Sequence, residues 1–384
     1  MIGGRARQPR GERVRPQKPD KKRRDAQLRP NLFRYATSEL SQDAFICWLL
    51  ESADQKYRRT CPELHAVGQA FVGMIFARHT ASPPSPCIQT VDIFRQEGRI
   101  DILAWVNQDI AIVIEDKVGT KQSRTQLGRY REHAETQLGR PVSHILFVYI
   151  QSGDQSDYSP VHLDGYAVFN RSDLLALFEG RIGTDARATN QILDDFAIRL
   201  RQIEDQVQSY AVKPVENWGA RARIGFVSRL KSELGVGQWD YVNNKAGGFY
   251  GYFGKRIRLD DGAMYLQVEM SARENKLCIK IDVKDDDRTK HFGHRWSKRC
   301  VADSRKQGLF VLEPGRIRVG QTMTVAKNEK PFPVTDEHGY VDITATVELL
   351  RSWQSFIELY ARVDDAPLPP LDAIVEGVAA NVSL

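Results

Sequence analysis

The chain has 384 residues, 41% hydrophobic and 27% charged, with a net charge of +6; this is the balance of a globular protein with a sizeable core, and the length suggests two or three domains. No apolar run approaches the ~18 residues a membrane span requires, and the N-terminus lacks the apolar core of a secretory signal. No membrane partner is therefore expected, a cytoplasmic location is the default, and five scattered cysteines without a Cys-x-x-Cys pair argue against a disulfide framework.

The positive charge is not spread evenly. Residues 1–30 carry eleven Lys or Arg against three Asp or Glu, a net +8, so the rest of the chain sums to −2. This basic tail has almost no large apolar residues and is expected to be disordered. It could neutralise phosphates or serve only as a solubilising extension.

After the tail, "SELSQDAFICWLLESAD" predicts a helix, with Ser38 as its cap, Glu39 at the positive end of the dipole, and Phe45 to Leu50 buried. "PELHAVGQAFVGMIFARH" predicts a second, with Leu64, Val67, Phe71, Met74 and Ile75 on one side and Pro62 in the first turn. "VDIFRQEG" and "RIDILAWV" then predict strands joined near Gly98, and "IAIVIEDK" a third after the turn "NQD". A polar helix covers "QSRTQLGRYREHAETQLG"; "VSHILFVYI" is a strand buried on both faces, followed by a strand "YAVF" and helices over "SDLLALFEG" and "NQILDDFAIRLRQIEDQVQSY". This order implies an α/β domain over residues 31–212, a mixed sheet flanked by helices.

"KPVENWG" reads as a linker into residues 213–384, where a helix in "ARIGFVSRLKSEL", strands in "GGFYGYF", "AMYLQVEM" and "KLCIKIDV", a basic segment "RTKHFGHRWSKRC", strands near "LFVLE", "RIRV" and "MTVAK", and a last helix around "TVELLRSWQSFIELYARV" predict a smaller α+β domain. Phe249, Tyr250, Tyr252, Phe253, Arg295, Lys298 and Arg299 could stack bases and track phosphates, or form an ordinary amphipathic sheet and solvated helix. Cys278, His291, His294 and Cys300 are too loosely spaced to specify zinc. No phosphate-binding loop of the GxxxxGK[ST] type occurs.

The chemistry concentrates at the end of "IAIVIEDK". In a strand Glu115 and Lys117 share a face and Asp116 points opposite. A buried strand delivers the acid and the lysine together at its carboxyl end, where ligands collect in open α/β sheets. An antiparallel hairpin through "NQD" would bring Asp101 beside Glu115. Two carboxylates there suit a magnesium ion, which takes one or two carboxylates, waters and a substrate phosphate. Lys117 could neutralise charge on a phosphate or position a water. On the next helix, Gln126 and Tyr130 stand at i and i+4, one face.

Asp101, then Glu115-Asp116-Lys117 on a hydrophobic strand, then "QLGRY" resembles the PD-(D/E)XK nuclease superfamily and the Gln-xxx-Tyr helix of its exonuclease-like branch. The upstream "ELSQDAFICWLL" is similar to the first helix of a bacterial family within it. The resemblance covers roughly residues 32–210. It implies a restriction-endonuclease-like fold, with Asp101, Glu115 and the backbone carbonyl of Asp116 as metal ligands, and Lys117 acting on the nucleophilic water. It further implies that Glu39 supplies another carboxylate and that Gln126 and Tyr130 anchor the site or contact substrate. The residue before Asp101 is Ile100, so the proline that names the superfamily is missing, while the core residues are all present.

The implied cofactor is Mg2+, with Mn2+ as a substitute, and the implied partner is nucleic acid, DNA before RNA. A homodimer would suit cleavage of both duplex strands, and the resemblance suggests an anti-phage or restriction-like role, in which a defence-system protein could be a partner. Two other readings stay open: a non-catalytic nucleic-acid-binding module on the same fold, and an RNA- or nucleotide-directed or effector-activated defence enzyme.

Overall fold

The computed structural model describes residues 29–79, 87–95, 100–119, 126–137, 145–245, 247–259, 262–283 and 288–360. Residues 1–28 of the basic tail lie outside them. Arg29, grouped with the tail by composition, is bound to the folded unit through ion pairs to Asp194 (2.5 Å) and Asp195 (2.8 Å).

Helices α1 (Glu39–Glu51) and α2 (Pro62–Ala77) open the fold. Ser38 caps α1 by accepting the Ser41 N–H at 3.3 Å. There follow β1 (Val91–Arg95), β2 (Ile102–Val106), β3 (Ile110–Lys117), α3 (Gln126–Gln137), β4 (Ile145–Gln151), a single turn α4 (Ser159–Leu163), β5 (Ala167–Asn170), α5 (Arg171–Glu179), α6 (Arg181–Thr189) and α7 (Gln191–Gln208). The five strands form one sheet in chain order, antiparallel from β1 to β3 and parallel from β3 to β5. It is a mixed sheet flanked by helices, as a restriction-endonuclease-like fold requires. The α4 and α6 helices are additions to the elements expected from the sequence.

Both faces of this sheet are covered, which is why "IAIVI" is apolar without alternation. Ile110, Ile112 and Ile114 of β3 join a core with α1, α2 and α5 to α7. Ala111 and Val113 point the other way, with Leu127 and Ala134 of α3 and with Tyr166. Every residue of β3 is buried, including Glu115, Asp116 and Lys117. The β2–β3 turn places Asn107 (φ 52°) and Gln108 (φ 63°) in the left-handed region, a geometry that follows the twist of a tight hairpin.

The second half begins with α8 (Ala220–Leu234), which packs on α7. Then come β6 (Gln238–Val242), β7 (Phe249–Phe253), β8 (Ile257–Leu259), β9 (Gly262–Met270), β10 (Asn275–Val283), α9 (Lys290–Lys306), β11 (Val311–Leu312), β12 (Thr322–Asn328) and α10 (Ile343–Glu358). Seven strands make an antiparallel sheet in the order β11-β12-β10-β9-β7-β6, with β8 also on β9. Phe226 of α8, Trp296 of α9 and Trp353 of α10 lie in the core on one face, against Leu266, Ile279 and Val325. "RIRV" is not a strand: Pro314, Gly315 and Gly320 bracket it, and only Ile317 among its four residues is buried. The basic segment is the helix α9, with Phe292, Trp296 and Cys300 buried at four-residue spacing. No helix among the described residues is long and apolar enough to cross a membrane.

The approach of α2 to α1 depends on Gly68. A Cβ there would run into Ser52 Oγ and lie 2.7 Å from the Ala53 nitrogen and 2.9 Å from the Leu49 carbonyl oxygen. Since α1 carries Glu39 to the sheet, Gly68→Ala should destabilise the fold by about 1–3 kcal/mol through overpacking. Urea denaturation would test this, and an unchanged midpoint would show that the two helices can separate without cost.

Candidate active site

The register of the hairpin builds the site. Ile102 pairs with Ile114, so Asp101 comes opposite Glu115 at the strand ends. Asp101 Oδ2 accepts the backbone N–H of Asp116 at 3.0 Å. On the face of β3 toward α3, Lys117 Nζ lies 2.6 Å from Glu115 Oε1 and 3.9 Å from Asp101 Oδ2, and donates to the Asp116 carbonyl at 3.0 Å. Glu39, in the first turn of α1, reaches the same point: its Oε2 is 3.7 Å from Lys117 Nζ, and its Oε1 accepts the Val118 N–H at 3.4 Å. From α3, Gln126 Nε2 donates to Glu115 Oε1 at 2.5 Å and to Tyr130 Oη at 3.2 Å. The six side chains singled out in the sequence therefore meet in one cluster around the end of β3.

Asp116 points to the opposite face. There its Oδ1 accepts from Gln42 Nε2 at 2.6 Å, and Asp43 is its buried neighbour. Gln42 and Asp43 were not picked out by sequence reasoning. Their signal was positional: they follow Glu39 by three and four residues, and so share its helix face.

Arg171, at the start of α5, is a second addition. Buried, it donates to the carbonyls of Ser152 (2.9 Å) and Gly153 (3.2 Å) and pairs with Asp154 (2.7 Å) and Glu204 (2.9 Å). Ser152 in turn donates its N–H to the Lys117 carbonyl at 3.1 Å. The loop after β4 is thus clamped against the end of β3. At Gly153 a Cβ would collide with the Val118 carbonyl oxygen, so only glycine allows that approach.

The electrostatics are those of acids crowded out of water. Burial pushes the Glu115 carboxyl up to about 7, and the negative charge of Asp101 adds to this against the pull of Lys117. Burial likewise holds Asp116 well above the usual carboxylate range, with Gln42 opposing. It lifts Asp43 to about 6, with Asp101 adding. Burial works against the Lys117 ammonium, yet the hydrogen bond and charge of Glu115, together with Asp101 and Glu39, more than offset it and raise its pKa.

Could these residues hold a cation? Glu115 is 1% exposed, and its Oε2 has no hydrogen-bond partner. An orphaned carboxylate oxygen at that depth is costly unless a cation or proton meets it. No three acidic, histidine or cysteine side chains among the described residues are arranged to hold a metal by themselves. Asp101 and Glu115 with the Asp116 carbonyl are hard oxygen donors, and a partial set of this kind fits magnesium, which keeps several waters, better than calcium or zinc.

Residues 30–197 match the family model described as the PD-(D/E)XK nuclease superfamily, a span that contains every residue of this cluster. No curated protein and no solved structure matches the chain.

A carboxyl whose folded pKa is raised contributes stability that is complete below its ordinary value of 4.5 and is lost as the pH rises through about 7. In EDTA, the urea midpoint should therefore fall across that window. Glu115→Gln should remove part of the slope, on the order of 3 kcal/mol. An identical slope in the variant would mean that Glu115 titrates as an exposed carboxylate does.

Proposed function

Because residues 30–197 match the family model of the PD-(D/E)XK nuclease superfamily, we propose that this chain is a magnesium-dependent nuclease that hydrolyses phosphodiester bonds, with DNA as its substrate. The observation that carries the reading is Glu115: a buried carboxylate with an unsatisfied oxygen, 2.6 Å from the Lys117 ammonium and across one hairpin from Asp101.

Asp101, Glu115 and the Asp116 carbonyl would hold the ion, and Glu39 would add a further carboxylate. Bound there, magnesium or manganese supplies a coordinated water of lowered pKa and neutralises charge on the phosphoryl oxygens. Lys117 keeps its proton among three carboxylates. Its role is therefore to present positive charge to the phosphate and to orient the water, and not to serve as the base. Gln126 fixes the rotation of the Glu115 carboxylate through its amide hydrogen bond, and Tyr130 accepts from the same amide. Water displaces the leaving oxygen in line, and no side chain forms a bond to phosphorus.

Supercoiled plasmid, linear duplex, single-stranded DNA and RNA should be compared as substrates, with magnesium and with EDTA. Cleavage of DNA should vanish in EDTA, and fall about a thousandfold or more in Asp101→Ala and Lys117→Ala. Gln126→Ala should keep a measurable rate, about ten- to a hundredfold lower. Cleavage unaffected by EDTA or by both core substitutions would overturn the assignment, and binding without cleavage by native and variant proteins alike would make the chain a binding module.

A further inference from the structure

The open face of the second sheet is chemically unlike a solvated surface. One face of β9, β10 and β12 packs on helices. The other presents Tyr265 and Gln267, which are buried, and Glu269, Lys280 and Thr324, which are half-buried. The last four form a continuous polar chain: Gln267 Nε2 donates to Glu269 Oε1 at 2.8 Å, and Lys280 Nζ lies 3.0 Å from that oxygen and 2.8 Å from Thr324 Oγ1. Shielded polar networks are expensive to build, and here the network floors a cavity of about 520 Å3. That volume lies in the range of small-molecule sites.

The walls differ from each other. On the side of β6 and β7 stand Val242, Phe249 and Phe253, an apolar corner. On the other side, the segment between β11 and β12 contributes Arg316 and Arg318, and β12 adds Lys327. The two acids that line the cavity are already matched, Glu269 with Lys280 and Glu274 with Lys276 (2.8 Å). Arg316, Arg318 and Lys327 have no carboxylate at ion-pair distance among the described residues. The cavity thus joins an aromatic wall to three cations that no carboxylate among the described residues pairs with.

We infer that this cavity binds a small phosphorylated ligand of the nucleotide class, its base or sugar against Phe249 and Phe253 and its phosphates against Arg316, Arg318 and Lys327. Guanidinium groups grip phosphate through paired hydrogen bonds, and aromatic faces accept any base. The site is separate from the cluster at the end of β3 and does not depend on nuclease activity.

Isothermal titration of the full chain in EDTA, with the 5′-mono-, di- and triphosphates of the four ribonucleosides, pyrophosphate and a ten-nucleotide oligothymidylate, tests the inference. At least one nucleotide should bind saturably at one site per chain, and more tightly than pyrophosphate. Arg316→Ala and Arg318→Ala should each weaken it about tenfold, and the pair about a hundredfold. Arg305→Ala, on the exposed face of α9, should leave binding unchanged, and coincident thermal melts would show that the exposed arginine variants are folded. Binding of no nucleotide, binding indifferent to both arginine substitutions, or binding of the oligonucleotide that no nucleotide displaces would each overturn it.

Discussion

The ion pair between Lys117 and Glu115 is the constraint on which the rest of the first sheet depends. An ammonium and a carboxyl that burial keeps protonated up to about pH 7 sit 2.6 Å apart at the end of a strand with no exposed residue. In such a place a charge survives only if every neighbour is arranged for it. Asp101 and Glu39 balance the ammonium from two sides, and Gln126 holds the carboxylate from a third. The elements that supply these groups, α1, the β2–β3 hairpin and α3, are fixed by apolar packing on both faces of the sheet. The hydrophobic core here serves as a frame for a polar cluster it could not otherwise tolerate.

Much of this was legible in the sequence, because the hairpin and the helix obey simple periodicities. A strand period of two puts Glu115 and Lys117 on one face, a short turn brings Asp101 opposite, and a helical period puts Gln126 and Tyr130 together. What escaped was long-range. Nothing local marks Arg171 as the clamp on the loop after β4, since its partners lie 17 to 33 residues away. Gln42 and Asp43 looked like ordinary polar positions of an amphipathic helix, and only the fold shows that they face Asp116.

The second half was less legible, for reasons that can be named. The β6 strand "QWDYV" is short and half exposed, so its alternation is weak, and β8 has three residues. "RIRV" alternates as a strand should, yet its flanking glycines and proline leave it as a wall of the cavity. In α9 the apolar spacing of Phe292, Trp296 and Cys300 was present, but the density of lysine and arginine obscured it. Polar residues on the open sheet face read as solvent-facing by alternation, and only the walls built by distant segments make them interior.

The turn at Asn107 and Gln108 has a consequence for how the protein acquires its chemistry. Asp101 and Glu115 are close in sequence, and they meet when a single tight hairpin zips up, an event that in small peptides takes microseconds. Glu39 and Gln42 instead need a helix to dock across more than seventy residues of intervening chain, and contacts of that separation form late. The chain therefore brings Asp101 beside Glu115 and Asp116 before the helices that complete the cluster arrive. Until β1 and β4 pair with it, the hairpin is an apolar strand pair with both edges open, and the carboxylates gathered at its end oppose the approach of a second copy there.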